Sequence, residues 1–230
     1  QIDDLSPLSK LTELASLDCN INQINDLSPL STLTMLTSLA CGDNRVSDLS
    51  PLSELSILAS LNCRRNQISD LIPITGLSEL ASLNCRENQV SDLSPLSGLI
   101  MLASLDCSYN SISELSALGG LSKLTSLDCR RNQISELLPL SMLTELCSLD
   151  CSYNLISELS PLSGLSTLAS LNCSNNQISD LSSLYNLIII EQLRELYIYN
   201  NPIYGVPSGI LGKDCAISVL NYWLDIARGS

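Results

Sequence analysis

The sequence predicts a right-handed α/β solenoid: a parallel sheet on the concave side of a horseshoe, short 3₁₀ turns on the convex side, and a C-terminal capping helix. Three observations predict it. The pattern L-x-S-L-x-C-x-x-N-x-(I/V) returns every 22 residues, beginning at Leu14, Leu36, Leu58, Leu80, Leu102, Leu124, Leu146 and Leu168. A ninth copy, LRELYIYNNPI, begins at Leu193 and carries Ile198 where the others carry cysteine. Aliphatic residues dominate, with seven Tyr, one Trp and no Phe. A stack whose units touch only their neighbours can bury such leucine rows without large rings.

Within each copy, S-L-x-C-x alternates as a short strand does, with Leu and Cys on one side. The connection that follows, S-D-L-S-P-L-S-x-L, leaves room for a single tight turn. Its Ser suits an N-cap and its Pro the first helical position. Parallel strands joined by such connections wind right-handed. The recurring asparagine (Asn22, Asn44, Asn66, Asn88, Asn110, Asn132, Asn154, Asn176 and Asn201) stands where the chain turns sharply. Its amide supplies donors and an acceptor to backbone groups cut off from water.

The cysteines Cys19, Cys41, Cys63, Cys85, Cys107, Cys129, Cys151 and Cys173 share one register position. In-register side chains on neighbouring strands stay about 4.8 Å apart and point in parallel. That is too far for a relaxed disulfide, which wants Cβ atoms about 3.8 Å apart. Zinc needs four converging ligands, and a single-file row does not converge. There is no His and no CxxC pair. The row is expected to be core packing, with every thiol free and no metal or other cofactor. Cys147, outside the row, is expected to be partly exposed. Unpaired thiols favour the cytoplasm, although burial would also protect them outside the cell.

Net charge is −13. An acid follows two residues after the (I/V) position in nine copies: Asp4, Asp26, Asp48, Asp70, Asp92, Glu114, Glu136, Glu158 and Asp180. The row reads as a solvated edge, and it argues against nucleic acid as a partner. The longest local apolar candidate, LIII at 187–190, is far short of the roughly 18 residues of a membrane span, so no membrane insertion is expected. No GxSxG, phosphate loop or His/Cys/Asp constellation marks a catalytic centre, and no enzyme is expected.

The concave face is built from the polar strand positions, a Ser row from Ser16 to Ser170 beside a D/N row that ends at Tyr197. Variation is concentrated in the two positions after the cysteine. There stand Arg64, Arg65, Arg86, Glu87, Tyr109, Arg130, Arg131, Tyr153 and Tyr199, including five of the chain's 11 basic residues. Arg and Tyr are enriched at interface hot spots. These residues, with Tyr197, are the candidate surface for a protein partner; the competing reading pairs the arginines with the D/N row.

The repeat resembles the 22-residue leucine-rich repeat of the internalin type, whose characteristic wording is matched by NQVSDLSPLSGL (88–99). The resemblance covers about residues 1–205 and implies the horseshoe; the same repeat serves adhesins, phosphatase regulators and scaffolds. Beyond it, residues 206–228 are expected to form a cap. Asp214 would start a helix whose Ile217, Leu220, Trp223 and Leu224 cover the last repeat. This end resembles the stretch that closes the repeats of Roco-family proteins, just before their Ras-like GTPase domain. The matching residues are Asn201, Pro202, Val206, Pro207, Leu211, Gly212, Cys215, Asn221, Tyr222, Trp223, Asp225, Ile226 and Gly229. That resemblance implies a recognition arm of a larger cytoplasmic protein, with its own downstream GTPase domain as a further partner. The internalin resemblance implies instead a secreted or surface adhesin. Because QIDDLSPL (1–8) matches QINDLSPL (23–30), the chain is expected to start mid-repeat, and Gly229-Ser230 reads as a vector scar.

Overall fold

The computed structural model describes residues 1–189 and 192–203. Nine three-residue strands form one parallel sheet in chain order: β1 (Ser16–Asp18), β2 (Ser38–Ala40), β3 (Ser60–Asn62), β4 (Ser82–Asn84), β5 (Ser104–Asp106), β6 (Ser126–Asp128), β7 (Ser148–Asp150), β8 (Ser170–Asn172) and β9 (Glu195–Tyr197). Each Leu pairs with the next Leu throughout, and each Ser with the Ser one repeat on until β9, where Glu195 faces Ser170. The strands stop one residue before the cysteine, yet the ladder runs past them. Cys41 N–H donates to Asn62 O at 2.8 Å and Cys63 N–H to Asn84 O at 2.8 Å.

Opposite the sheet each connection forms a 3₁₀ turn, as at Ser28–Leu30, Ser50–Leu52 and Ser94–Leu96. The expected Ser cap is corrected. Leu27 takes the cap position without a side-chain bond, and Ser28 is already the first residue of the turn. The carboxylate before it does the capping. Asp26, Asp48 and Asp70 accept the N–H of Ser28, Ser50 and Ile72, each at 2.8 Å. Asp4, Asp92 and Asp180 do the same for Ser6, Ser94 and Ser182. A short carboxylate bonding its own backbone two residues on makes an Asx turn, which sets the direction of the 3₁₀ turn. The acid row is therefore structural as well as solvating. Glu114, Glu136 and Glu158, one methylene longer, make no such bond among the described residues.

The core fills the space between sheet and turns. In the third repeat Leu49, Leu52, Leu55, Leu58, Leu61 and Cys63 are each at most 1% exposed. Each buried leucine contributes about 1.5–3 kcal/mol. The cysteine row lies inside as expected: Cys41 through Cys173 are fully buried and free, and Cys19, at the edge of the sheet, is 7% exposed. Burial pushes the Cys19 thiol up to about 11 and the Cys41, Cys85 and Cys173 thiols up to about 12. Cys147 is exposed.

The asparagines form the expected ladder, though most are half-buried and only Asn154 and Asn176 are fully so. Asn201 closes it by donating to Cys173 O at 3.0 Å and accepting from Ile178 N–H. The last connection, 25 residues from Leu168 to Leu193 against 22 elsewhere, holds a five-residue helix, α1 (Tyr185–Ile189). The expected cap at 206–228, and the Roco-like residues from Val206 onward, lie outside the described residues.

Candidate functional site

At the end of each strand the chain passes the cysteine and turns within two residues, which are the two variable positions. The second of them sits in the left-handed region in all nine copies: Ile21, Asp43, Arg65, Glu87, Tyr109, Arg131, Tyr153, Asn175 and Asn200 have φ between 50° and 57°. This conformation costs a residue other than Gly, Asn or Asp about 1–2 kcal/mol. It is held from both sides. The N–H of Asp43 donates to Arg64 O at 2.8 Å and that of Tyr109 to Arg130 O at 2.9 Å, each in the next repeat. The following asparagine binds the adjacent carbonyls, as Asn88 does those of Cys85 and Arg86.

The structure divides the predicted residues into two groups. In the first, Asp43 is clamped between Arg64, at 3.0 Å, and Arg65, at 3.4 Å. Arg65 also holds Glu87, Nε to Oε2, at 2.8 Å. Asp43 was not among the predicted site residues, although its place at the same variable position carried the signal. In the second group, aromatic rings and guanidinium groups alternate. Arg86 lies 4.6 Å from the Tyr109 ring centroid, and Arg131 lies 5.1 Å from Tyr109 and 4.1 Å from Tyr153. Arg130 stands 5.9 Å from Tyr109. Such contacts are worth about 0.5–1 kcal/mol each at exposed sites. Tyr197 and Tyr199, on the ninth repeat, stack on no arginine among the described residues.

Arg130 meets the D/N row, as the competing reading of the face holds. Its Nε lies 3.3 Å from Asp128 Oδ2 and its Nη1 3.5 Å from Asp150 Oδ2. The Nε geometry makes this a charge contact rather than an aligned hydrogen bond, because that atom has no bonded acceptor. Asp106, Asp128 and Asp150 stand side by side on β5, β6 and β7. Partial burial, and then the neighbouring Asp106 charge, push Asp128 up to about 6, while Arg130 opposes the shift. Among the described residues no group of His, Cys, Asp or Glu is arranged to hold a metal ion. No helix among them is long and apolar enough to cross a membrane. A groove of about 520 Å³, lined by Glu114, Glu136, Leu138 and Pro139, lies on the side of the 3₁₀ turns, away from these residues.

A register-locked parallel sheet, an asparagine ladder and capped 3₁₀ turns define a leucine-rich-repeat protein with an open, polar face. The leucine-rich-repeat family model matches in two copies, at residues 100–141 and 144–186. An internalin, InlF, from Listeria monocytogenes is 37% identical over 90% of this chain with a TM-score of 0.86, and this chain spans about 60% of its length. Internalin C2 from the same organism is 31% identical, with 83% of each chain covered and a TM-score of 0.80. The chain belongs to the internalin family of leucine-rich-repeat proteins. A third Listeria structure, the functional domain of InlJ, includes a cysteine ladder; it is 27% identical over 86% of this chain and 51% of its own, with a TM-score of 0.52. No curated protein matches the chain at a significant level.

Proposed function

We propose that this chain is a non-enzymatic recognition domain that binds a protein through the concave face of its sheet, at the Arg/Tyr surface. The observation that supports it most is the concentration of Arg64, Arg65, Arg86, Tyr109, Arg130, Arg131 and Tyr153 at two positions that are otherwise free to vary. Of these, Arg65, Tyr109, Arg131 and Tyr153 stand on the left-handed residue of the turn, which sets where their side chains project. The invariant rows beneath them carry the fold.

The setting has two readings, each with its own support. The C-terminal likeness to Roco proteins, of which Asn201 and Pro202 lie in described structure, supports the repeat arm of a cytoplasmic multidomain GTPase. The likeness to two Listeria internalins supports a secreted or surface adhesin. The parent reading frame beyond Arg228 separates them, because a strand followed by G-x-x-x-x-G-K-(S/T) belongs only to the first.

The binding claim is tested by placing a photo-crosslinking residue at Tyr153, with Ile72 on the turn side as control. The partner so captured is purified and titrated against the Arg64→Glu/Arg86→Glu/Arg130→Glu protein. The expected result is loss of about 100-fold or more in affinity, as buried charge pairs at interfaces typically show, with a lower melting temperature, because the reversed charges meet Asp43, Asp128 and Asp150, but an unchanged circular dichroism spectrum. Unaltered affinity would remove the reading.

A further inference from the structure

Three of the five arginines on the face are already matched within the chain: Arg64 and Arg65 by Asp43 and Glu87, and Arg130 by Asp128 and Asp150. Arg86 and Arg131 differ. Among the described residues neither forms an ion pair with a carboxylate, and both are held by stacking on Tyr109. Stacking fixes the plane of a guanidinium but leaves its N–H fork unused. That fork fits a carboxylate with two parallel bonds, and little conformational freedom remains to be lost on binding.

We propose that Arg86 and Arg131 jointly read an acidic segment of a protein partner, taking two carboxylates three residues apart in a polyproline II chain. This rests on the reading that the face binds protein. The spacing follows from the fold. The two arginines stem from repeats two apart, and strands stand about 4.8 Å apart, so the backbone segments that carry them are about 10 Å from one another. The contacts of 4.6 and 5.1 Å to the same Tyr109 ring keep the two forks within that separation. A segment in the polyproline II conformation has three residues per turn and rises about 3.1 Å per residue, so side chains at i and i+3 share one face about 9 Å apart and match the forks. A polyanion fits poorly, because its unbroken charge would also meet Asp106, Asp128 and Asp150 in the next row of the sheet. Two separate carboxylates avoid that row. Tyr153, stacked on Arg131 and 40% exposed, leaves ring surface for an apolar neighbour of the second acid.

The test uses the full chain and short fluorescein-labelled Gly/Ser peptides, read by anisotropy at low salt. One peptide carries two Glu at i and i+3, one carries them at i and i+1, and one carries Gln in both places. The i, i+3 peptide is expected to bind about tenfold tighter than either control, to weaken as salt rises, and to lose that advantage in Arg86→Gln/Arg131→Gln. Lys10→Gln/Lys123→Gln, which removes two exposed charges outside that face, should retain it. Both variants are checked by thermal unfolding, since neither replaces a core residue. Equal binding of the three peptides, full binding by Arg86→Gln/Arg131→Gln, or preference for a short sulfated oligosaccharide over the i, i+3 peptide would each overturn the proposal. If the peptides bind indifferently while charge reversal still abolishes binding of the crosslinked partner, only the acidic-segment inference falls. If that partner binds the reversed face unaltered, the protein-binding reading itself falls.

Discussion

Asn88 ties its own turn to the repeat behind it: its Nδ2 donates to the Cys63 carbonyl at 3.0 Å while its Oδ1 accepts the Ile68 N–H at 2.9 Å. The same nitrogen also reaches Cys85 O and Arg86 O at 3.1 and 3.2 Å. One amide thus satisfies backbone groups of two consecutive repeats. Asn88→Ala should cost about 2–4 kcal/mol, because several part-buried polar groups are left unpaired at once. Urea unfolding of that variant beside Gln89→Ala, an exposed neighbour expected to be neutral, checks it.

The thiol row makes a chemical prediction. Only the thiolate reacts, and burial holds the row thiols at about 11 or higher where a value is resolved. Brief treatment of the native protein with a maleimide should label Cys147 and spare all eight row cysteines, as read by peptide mass spectrometry. Rapid labelling of several row cysteines would place their side chains outside the core.

Asp128 gives a pH dependence whose sign runs opposite to that of most surface carboxylates. Its pKa is raised to about 6 in the fold, against about 3.9 in an unfolded chain. The folded state therefore favours the protonated form. The stability this group allows is complete below pH 4 and declines as pH rises through about 6. Asp128→Asn should raise stability at pH 7.5 by about 1–2 kcal/mol, after solvent screening and the lost contact with Arg130 are discounted. The gain should vanish near pH 4. Melting curves across that range decide it.

The caps differ in sign. Bonds from the Ser50 and Ser182 side chains and backbone hold Asp48 and Asp180 below the usual carboxylate value. Their contribution is present at neutral pH and is lost as acid protonates them below about pH 4. Where glutamate replaces aspartate the cap is missing, so Glu114→Asp should create it and raise the melting temperature by about 1–3 °C. No change, with the Ser116 N–H still unbonded, would mean that the local backbone differs there.

The repeat, its strands and its asparagine and cysteine rows were legible in the sequence because one residue type fills each row and one physical role follows from it. The cap was misassigned to Ser because Asp and Ser are both good acceptors, and choosing between them needs the φ and ψ of the intervening leucine. The left-handed turn was invisible. Its position holds Ile, Asp, Arg, Glu, Tyr and Asn, and only Asp and Asn carry that preference in their chemistry. The site residues were named by type and position, but their division into matched and unmatched arginines depends on reach across repeats. Arg65 spans to both Asp43 and Glu87, whereas Arg131 finds rings on both sides.

The unbroken register of β1 to β8 has a consequence for inheritance. Each junction repeats the one before it, so an in-phase crossover between two gene copies of the repeat rejoins the chain at an equivalent seam. The array can lengthen or shorten by 22 codons with its leucine rows intact. What changes is which side chains stand abreast: loss of the unit bearing Tyr109 would set Arg86 beside Arg130 and Arg131 with no ring between them. The core is indifferent to such events, and the face is rewritten by them one strand at a time.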